Sequence, residues 1–312
     1  MSDALNPSAS SDPGDAGGSF KSGFIAIAGP PNGGKSTLLN AMIGRKISIT
    51  SDKPQTTRNR IAGIAHRPAG QLIFLDTPGI HLTQKTFNQK MVDLAFTAID
   101  DVDLILLVVD ADRPKPGAEH MILERLKQTR QRPVILALNK IDRVRKPALL
   151  PLIDKWDRSY PFAAVYPVSA KTGEQVAELM DALEAALPEG PPYYPQDMVT
   201  DVSEEFILTE IIREKVFYLT EAEIPFATAV SIEMTEESEE DGRIVVYAKI
   251  HVERDSQKQI IIGKNGRMLR EIGKAARLEI ERMMGIKVYL KLFIRVEKNW
   301  SRDARAMRRL GY

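Results

Sequence analysis

Cysteine is absent from this 312-residue chain. Disulfides, thiolate zinc sites and a cysteine nucleophile are therefore excluded, and a reducing cytoplasm is the expected setting. Long apolar runs are missing as well, since none reaches the ~18 residues that a membrane-spanning helix needs. The opening stretch MSDALNPSASSDPGDAGGSF has little to bury and lacks the basic-then-apolar order of a secretion signal. Residues 1–21 are expected to form a disordered tail. No internal repeat is evident. The net charge is only +1, but it is unevenly spread: from Arg254 to Tyr312 sixteen Lys and Arg stand against six Asp and Glu. A basic end on a balanced chain points to a polyanionic partner there, although a solvated charged face has the same composition.

What is present falls into two halves. From Gly23 to about Leu187 short apolar runs (FIAIAG, QLIFLD, DLILLVVD, PVILALN, AAVYPVS) alternate with helix-like segments. That alternation predicts a parallel sheet buried on both faces, with RIAGIAH as an antiparallel edge strand beside QLIFLD. LPEGPPYYPQD carries Pro188, Pro191, Pro192 and Pro195, which neither a helix nor a central strand tolerates. It reads as the end of a first domain (22–187) and a linker (188–200). Residues 201–312 then read as an α+β domain: helix from Glu204 to Thr220, strands Phe226 to Met234 and Arg243 to Glu253, helix Gly266 to Met283, strand Lys287 to Val296, and a basic tail.

The chemistry lies between strands and helices. Gly29-Pro30-Pro31-Asn32-Gly33-Gly34-Lys35-Ser36-Thr37 has the spacing of a phosphate-binding loop in strand–loop–helix context. Backbone amides and a helix N-terminus can cradle a triphosphate there. Lys35 would reach the β and γ phosphates, and Ser36 would ligate Mg²⁺. Asp76-Thr77-Pro78-Gly79-Ile80 follows the next apolar run. Asp76 would hold Mg²⁺ through water, and the Gly79 amide would report the γ phosphate. Asn139-Lys140-Ile141-Asp142 ends a later run. The Asp142 carboxylate can accept both N1–H and the exocyclic N2–H₂ of guanine and would repel adenine N1, so the nucleotide is expected to be GTP. Asn139 could read the other edge of the base, with the Lys140 stem over its face. Ser169-Ala170-Lys171 would close over the base. In KISITSDKPQTTRNR a threonine hydroxyl could join Mg²⁺ while the γ phosphate is present; Thr57 is preferred to Thr56, though spacing does not decide. Ile80 stands where many GTPases carry a water-positioning glutamine, and His81 stands alone. Asn32 could instead help hold a monovalent cation near the β–γ bridge, so hydrolysis is expected to involve Lys35, Asn32 and Thr57 and to be stimulated by K⁺ or by a partner.

In the second half Gly263-Lys264-Asn265-Gly266 precedes a two-faced helix. Leu269, Ile272, Ala276, Ile280 and Met283 would pack on the sheet, and Arg267, Arg270, Lys274 and Arg277 would line the opposite side. A GxxG loop running into a basic stripe is a track for a single-stranded nucleic acid, and no residue here decides RNA over DNA.

The order GPPNGGKST, PQTTR, DTPG, NKID, VSAK, IIIGKNG and NWSRDARAMRRLGY resembles the Era family of bacterial GTPases over nearly the whole chain except the N-terminal tail. The resemblance implies a Ras-like P-loop domain followed by a type II KH domain. It also implies a role in assembling the 30S subunit through the 3′ end of 16S ribosomal RNA, and peripheral contact with the cytoplasmic face of the inner membrane. A monomer is expected. Pro30 and Gly33 depart from the family, which more often has Arg or a similar polar residue and Val. Two other readings fit parts of the pattern: an RNA chaperone with incidental turnover, and a membrane-remodelling or tRNA-modifying GTPase. Against the latter stand the lack of a long helical dimerisation arm and the presence of GKNG with its stripe.

Overall fold

The computed structural model describes residues 20–50, 61–80, 95–128, 132–221, 223–225, 227–238 and 242–311. Six strands form the first sheet in the order β2-β3-β1-β4-β5-β6. They are β1 (Lys21–Ala28), β2 (Ile61–Arg67), β3 (Gly70–Asp76), β4 (Leu104–Asp110), β5 (Val134–Asn139) and β6 (Ala164–Pro167). β1, β3, β4, β5 and β6 are parallel, and β2 is the antiparallel edge. The continuous apolar runs have a physical cause. Successive residues of β1 point to opposite faces, and both faces are covered: Ile25 and Ile27 join one core with Leu38, Phe74 and Leu179, while Ala26 and Ala28 join another with Ile73, Leu107 and Ile122. The covering helices include α1 (Lys35–Ile43), α2 (Pro116–Gln128), α3 (Leu149–Asp157) and α4 (Val176–Ala186). Parallel strands bring every βα loop to one edge of the sheet, and that edge holds the site.

The second sheet has the order β7-β8-β9: β7 (Ala229–Glu237) runs antiparallel to β8 (Ile244–Val252), and β9 (Val288–Val296) runs parallel to it. α5 (Glu204–Leu219), α6 (Asp255–Ile262) and α7 (Arg267–Met284) cover one face. α5 begins at Ser203, whose hydroxyl accepts from the Phe206 amide at 3.2 Å, with Glu204 and Glu205 in the positive first turn. Ile272, Ala276 and Ile280 of α7 are fully buried, with Leu269 and Met283 packed beside them, as the 3.6-residue period predicts.

Three details differ from the sequence reading. The apolar QKQIII segment is helix α6, whose start is fixed by an amide side chain reaching back from the first turn: Gln257 accepts from the Glu253 and Arg254 amides at 2.9 and 3.1 Å. The basic tail folds back as α8 (Ala304–Arg309), where Ala306, Met307 and Leu310 pack with Trp300 and Ala229. The proline-rich linker is strapped to the first sheet. The Gln71 side chain accepts from the Tyr193 and Tyr194 amides at 2.7 and 3.0 Å and donates to the Tyr194 carbonyl at 2.7 Å. Further along, the Ile64 amide donates to the Val199 carbonyl and the Thr200 hydroxyl to the Ala62 carbonyl. Among the described residues no helix is long and apolar enough to cross a membrane.

The two halves meet through α5. Glu214, 1 % exposed, accepts from Lys46 of the first half and from Lys215 of its own helix, each at 2.7 Å. Lys46 and Lys215 also pair with Glu279 of α7. Burial opposes charge on Lys215, but its two carboxylate partners outweigh it and raise its pKa. Gln71→Ala would strand the backbone groups of the strap. It is expected to cost about 2 kcal/mol in urea unfolding and to speed proteolysis within 188–200; unchanged stability and cleavage would refute the strap.

Candidate nucleotide-binding site

The phosphate loop leaves β1 and enters α1 through Gly34, whose φ of 93° is left-handed. A Cβ at Gly34 would lie 2.2 Å from Asn139 Nδ2, so the position admits only glycine. Gly33 is crowded as well: a Cβ there would sit 2.9 Å from the Val108 carbonyl oxygen, which leaves no room for valine unless the loop shifts off β4. The Lys35 ammonium is buried and donates to the Gly29 and Pro30 carbonyls at 3.1 and 3.0 Å. Burial pulls its pKa down to about 8, although Asp76 acts to raise it. A buried ammonium resting on loop carbonyls is suited to an arriving polyanion.

Asp76 ends β3 with no exposed surface. Its Oδ2 accepts from Ser36 Oγ at 2.8 Å and from Ser48 Oγ at 2.9 Å. Ser36 and Asp76 are hard oxygen donors beside the phosphate loop, a donor set that fits Mg²⁺ held by one or two protein oxygens and the phosphates. Thr77 donates to the Ile27 carbonyl at 2.8 Å, and Pro78 is buried behind the turn. Gly79 lies against the phosphate loop, where a Cβ would come within 2.8 Å of Pro31 Cα. Ile80 is fully buried, and its amide donates to the Gly29 carbonyl at 3.1 Å. Thr57, Thr56 and His81 lie outside the described residues.

Three loops are joined by Asn139 at the end of β5. Its Nδ2 donates to the Gly33 carbonyl at 3.0 Å, and its Oδ1 accepts from the Ala170 and Lys140 amides at 3.0 and 2.8 Å. This side chain ties the loops together and also lines the cleft. Lys140 is held by the Asn32 carbonyl and Asp110, each at 2.6 Å. Asn32 itself has a left-handed φ of 64°. Ile141 packs into the core, while the Asp142 carboxylate lines the cleft and accepts from Ser169 Oγ at 2.8 Å.

The resulting cleft is open to solvent, has a cavity volume of about 210 Å³, and is lined by Asn32, Lys35, Ser36, Gly79, Asp142 and Lys171 among others. Gly29, Pro30, Gly33, Asp76, Thr77, Ile141 and Ser169 stand behind this wall and shape it. Sequence reasoning missed Ser48, Asn40, Asp110 and the lining residues Ile49, Thr50, Arg143 and Tyr218. Asn40 fixes Ser48 by accepting from the Ile47 and Ser48 amides, both at 3.0 Å. An Asn eight residues before a Ser gives no such signal by itself.

In the second half Gly263, Lys264, Asn265 and Gly266 join α6 to α7. A Cβ at Gly263 would be 2.7 Å from Met268 Cβ, and at Gly266 nothing lies within 4 Å, so the loop is tight inside and open outside. Lys264, Arg267, Arg270 and Lys274 are exposed and Arg277 half-buried along one side. Arg267 and Arg277 pair with Glu271 and Glu281 one turn on.

Replacing Asp142 by Asn would swap an acceptor for a donor toward the base. Guanine nucleotide affinity is expected to fall about 100-fold or more while xanthine nucleotide affinity rises, since a carbonyl stands where guanine has its amine. Ser169→Ala should lower GDP affinity by about tenfold at most. Titration with fluorescent GDP and XDP checks both.

Residues 24–140 match the family described as 50S ribosome-binding GTPase, and residues 223–301 match the KH domain family. GTPase Era of Geobacter metallireducens is 51% identical over 293 residues, spanning 94% of this chain and 98% of that one. GTPase Era of Syntrophus aciditrophicus is 48% identical over 94% and 95% of the two chains. Among solved structures, Era in complex with MgGDPNP and nucleotides 1506–1542 of 16S ribosomal RNA is 40% identical, covers 94% of this chain and 99% of that one, and has a TM-score of 0.89. Aquifex aeolicus Era bound to GDP and aluminium fluoride is 39% identical over the same shares, also with a TM-score of 0.89. A P-loop domain joined to a KH domain, in a chain alike over nearly its whole length, decides the relationship: the chain belongs to the Era family of GTPases.

Proposed function

We propose that this protein is a GTP-hydrolysing switch that grips the 3′ end of 16S ribosomal RNA and assists assembly of the 30S subunit. The observation that carries the nucleotide half is the convergence of Lys35, Ser36 and Asp142 on one cleft. The RNA half rests on the helix–GKNG–helix with its basic side, and on the relative solved with MgGDPNP and 16S ribosomal RNA.

In this reading Lys35 leaves the Gly29 and Pro30 carbonyls for the β and γ phosphates, and the loop amides take the remaining oxygens. Ser36, Thr57 and, through water, Asp76 would hold Mg²⁺, which when bound would neutralise phosphate charge. Asp142 accepts both donors of guanine, Lys140 covers the ring, and Ser169, Ala170 and Lys171 close the base end. The Gly79 amide meets the γ phosphate, so its loss frees the turn. Ile80 is packed in the core and orients no water. Asn32 would help hold K⁺, and turnover without K⁺ or a partner is expected to be slow. Lys264, Arg267, Arg270, Lys274 and Arg277 meet RNA phosphates. The protein acts as a cytoplasmic monomer, with peripheral contact to the inner membrane.

Competition against fluorescent GDP tests the nucleotide: GTP should compete at least about 100-fold better than ATP, and Lys35→Ala should abolish binding. A single-stranded oligonucleotide of the 16S 3′ end tests the RNA half. Lys264→Ala with Arg270→Ala is expected to weaken it by about tenfold and to flatten its salt dependence by about two phosphate contacts. Equal competition by ATP, or RNA binding indifferent to these cations, would contradict the proposal.

A further inference from the structure

α5 belongs to the core of the second half, yet one of its faces looks into the first. Glu214 and Tyr218 stand four residues apart and so share a face. Glu214 Oε1 accepts from the Thr50 amide at 3.0 Å and from its hydroxyl at 3.4 Å. One turn on, Tyr218 lines the nucleotide cleft together with Ile49 and Thr50. It is 52 % exposed, a large ring left out of both cores. Residues 47–50 are anchored on their other side: Asn40 holds Ile47 and Ser48, and Ser48 donates to Asp76 at the magnesium corner. A continuous series of contacts therefore runs from Asp76 through Ser48 and Thr50 to Glu214. From there the ion pairs with Lys46 and Lys215 reach Glu279 on α7, the helix that carries the basic side.

We propose that the second half supplies part of the nucleotide site: Tyr218 flanks the bound guanine nucleotide, and Glu214, by docking α5 on Thr50, keeps it there. The inference deepens the GTPase reading and rests on it. The base end is held by Asp142 and the phosphates by the loop at 29–37, so a ring entering from a third element covers the otherwise open side. Its effect falls on escape from the cleft, and dissociation is the rate to watch. Linkage makes the effect reciprocal, because whatever undocks α5 also loosens the nucleotide.

Stopped-flow dissociation of fluorescent GDP from the full-length protein tests this, with thermal unfolding of each variant alongside. Tyr218→Ala removes a half-exposed ring from a helix, so the variant should fold like the parent. Dissociation is expected to quicken by about fivefold, the size of one aromatic contact, and Tyr218→Phe should restore the parental rate. Glu214→Gln keeps the shape and loses the charge that Lys46 and Lys215 pair with; it should also quicken dissociation while association stays the same. Unchanged dissociation in both Tyr218→Ala and Glu214→Gln overturns this inference and leaves the GTPase reading standing. Failure of the parent protein to bind fluorescent GDP overturns the GTPase reading itself.

Discussion

The nucleotide site depends on one buried amide. Asn139 donates to the phosphate loop at Gly33 and accepts from Ala170 and Lys140, so three loops from distant parts of the chain share one side chain. Gly34 has to be glycine because this amide lies where its side chain would be. A carboxylate in place of Asn139 could not donate to Gly33, and a shorter side chain would leave backbone groups unpaired in a dry site, at about 1–3 kcal/mol each. The parallel sheet brings the loops to the same edge; this amide sets their spacing. Lys140, held by Asp110 and Asn32, and Asp142, held by Ser169, are positioned around it.

A second constraint joins the halves. Glu214 is buried, and burying a carboxylate is costly unless cations and hydrogen bonds surround it. It obtains one cation from each half, Lys46 and Lys215, and the Thr50 amide besides. The segment that touches it begins beside Asp76, to which Ser48 donates at 2.9 Å, and Thr57 follows seven positions after Thr50 in the chain. α5 and the ion pairs to Glu279 connect Lys46 of the first half to α7. A ligand shifts such an equilibrium only by its differential affinity for the two arrangements, so the γ phosphate must act through contacts that GDP lacks.

Much of the first half was legible in the sequence. Strands buried on both faces leave continuous apolar runs, and GPPNGGKST, DTPG, NKID and VSAK each sit at a strand end where chemistry is expected. The helical period of α7 gave its buried and basic faces. Other features left no local trace. α6 is too short to show a period, and its three consecutive isoleucines resemble a strand. β7 begins at Ala229; just before it, Thr228 Oγ1 donates to the Ile224 carbonyl at 2.6 Å and closes a turn. The linker's attachment to Gln71 and the grip of Asn139 on Gly33 join residues more than a hundred positions apart. Tyr218 reads as an ordinary helix residue until the two halves are placed together.

In the proposed switch, the outermost phosphate of GTP governs how tightly the second domain grips RNA. The most direct measurement is the affinity of the full-length protein for a single-stranded oligonucleotide of the 16S 3′ end, with GDP and with a non-hydrolysable GTP analogue at fixed salt. A working switch should bind RNA about fivefold or more tightly with the analogue, the scale of a modest allosteric coupling. Equal affinities in the two states would contradict it.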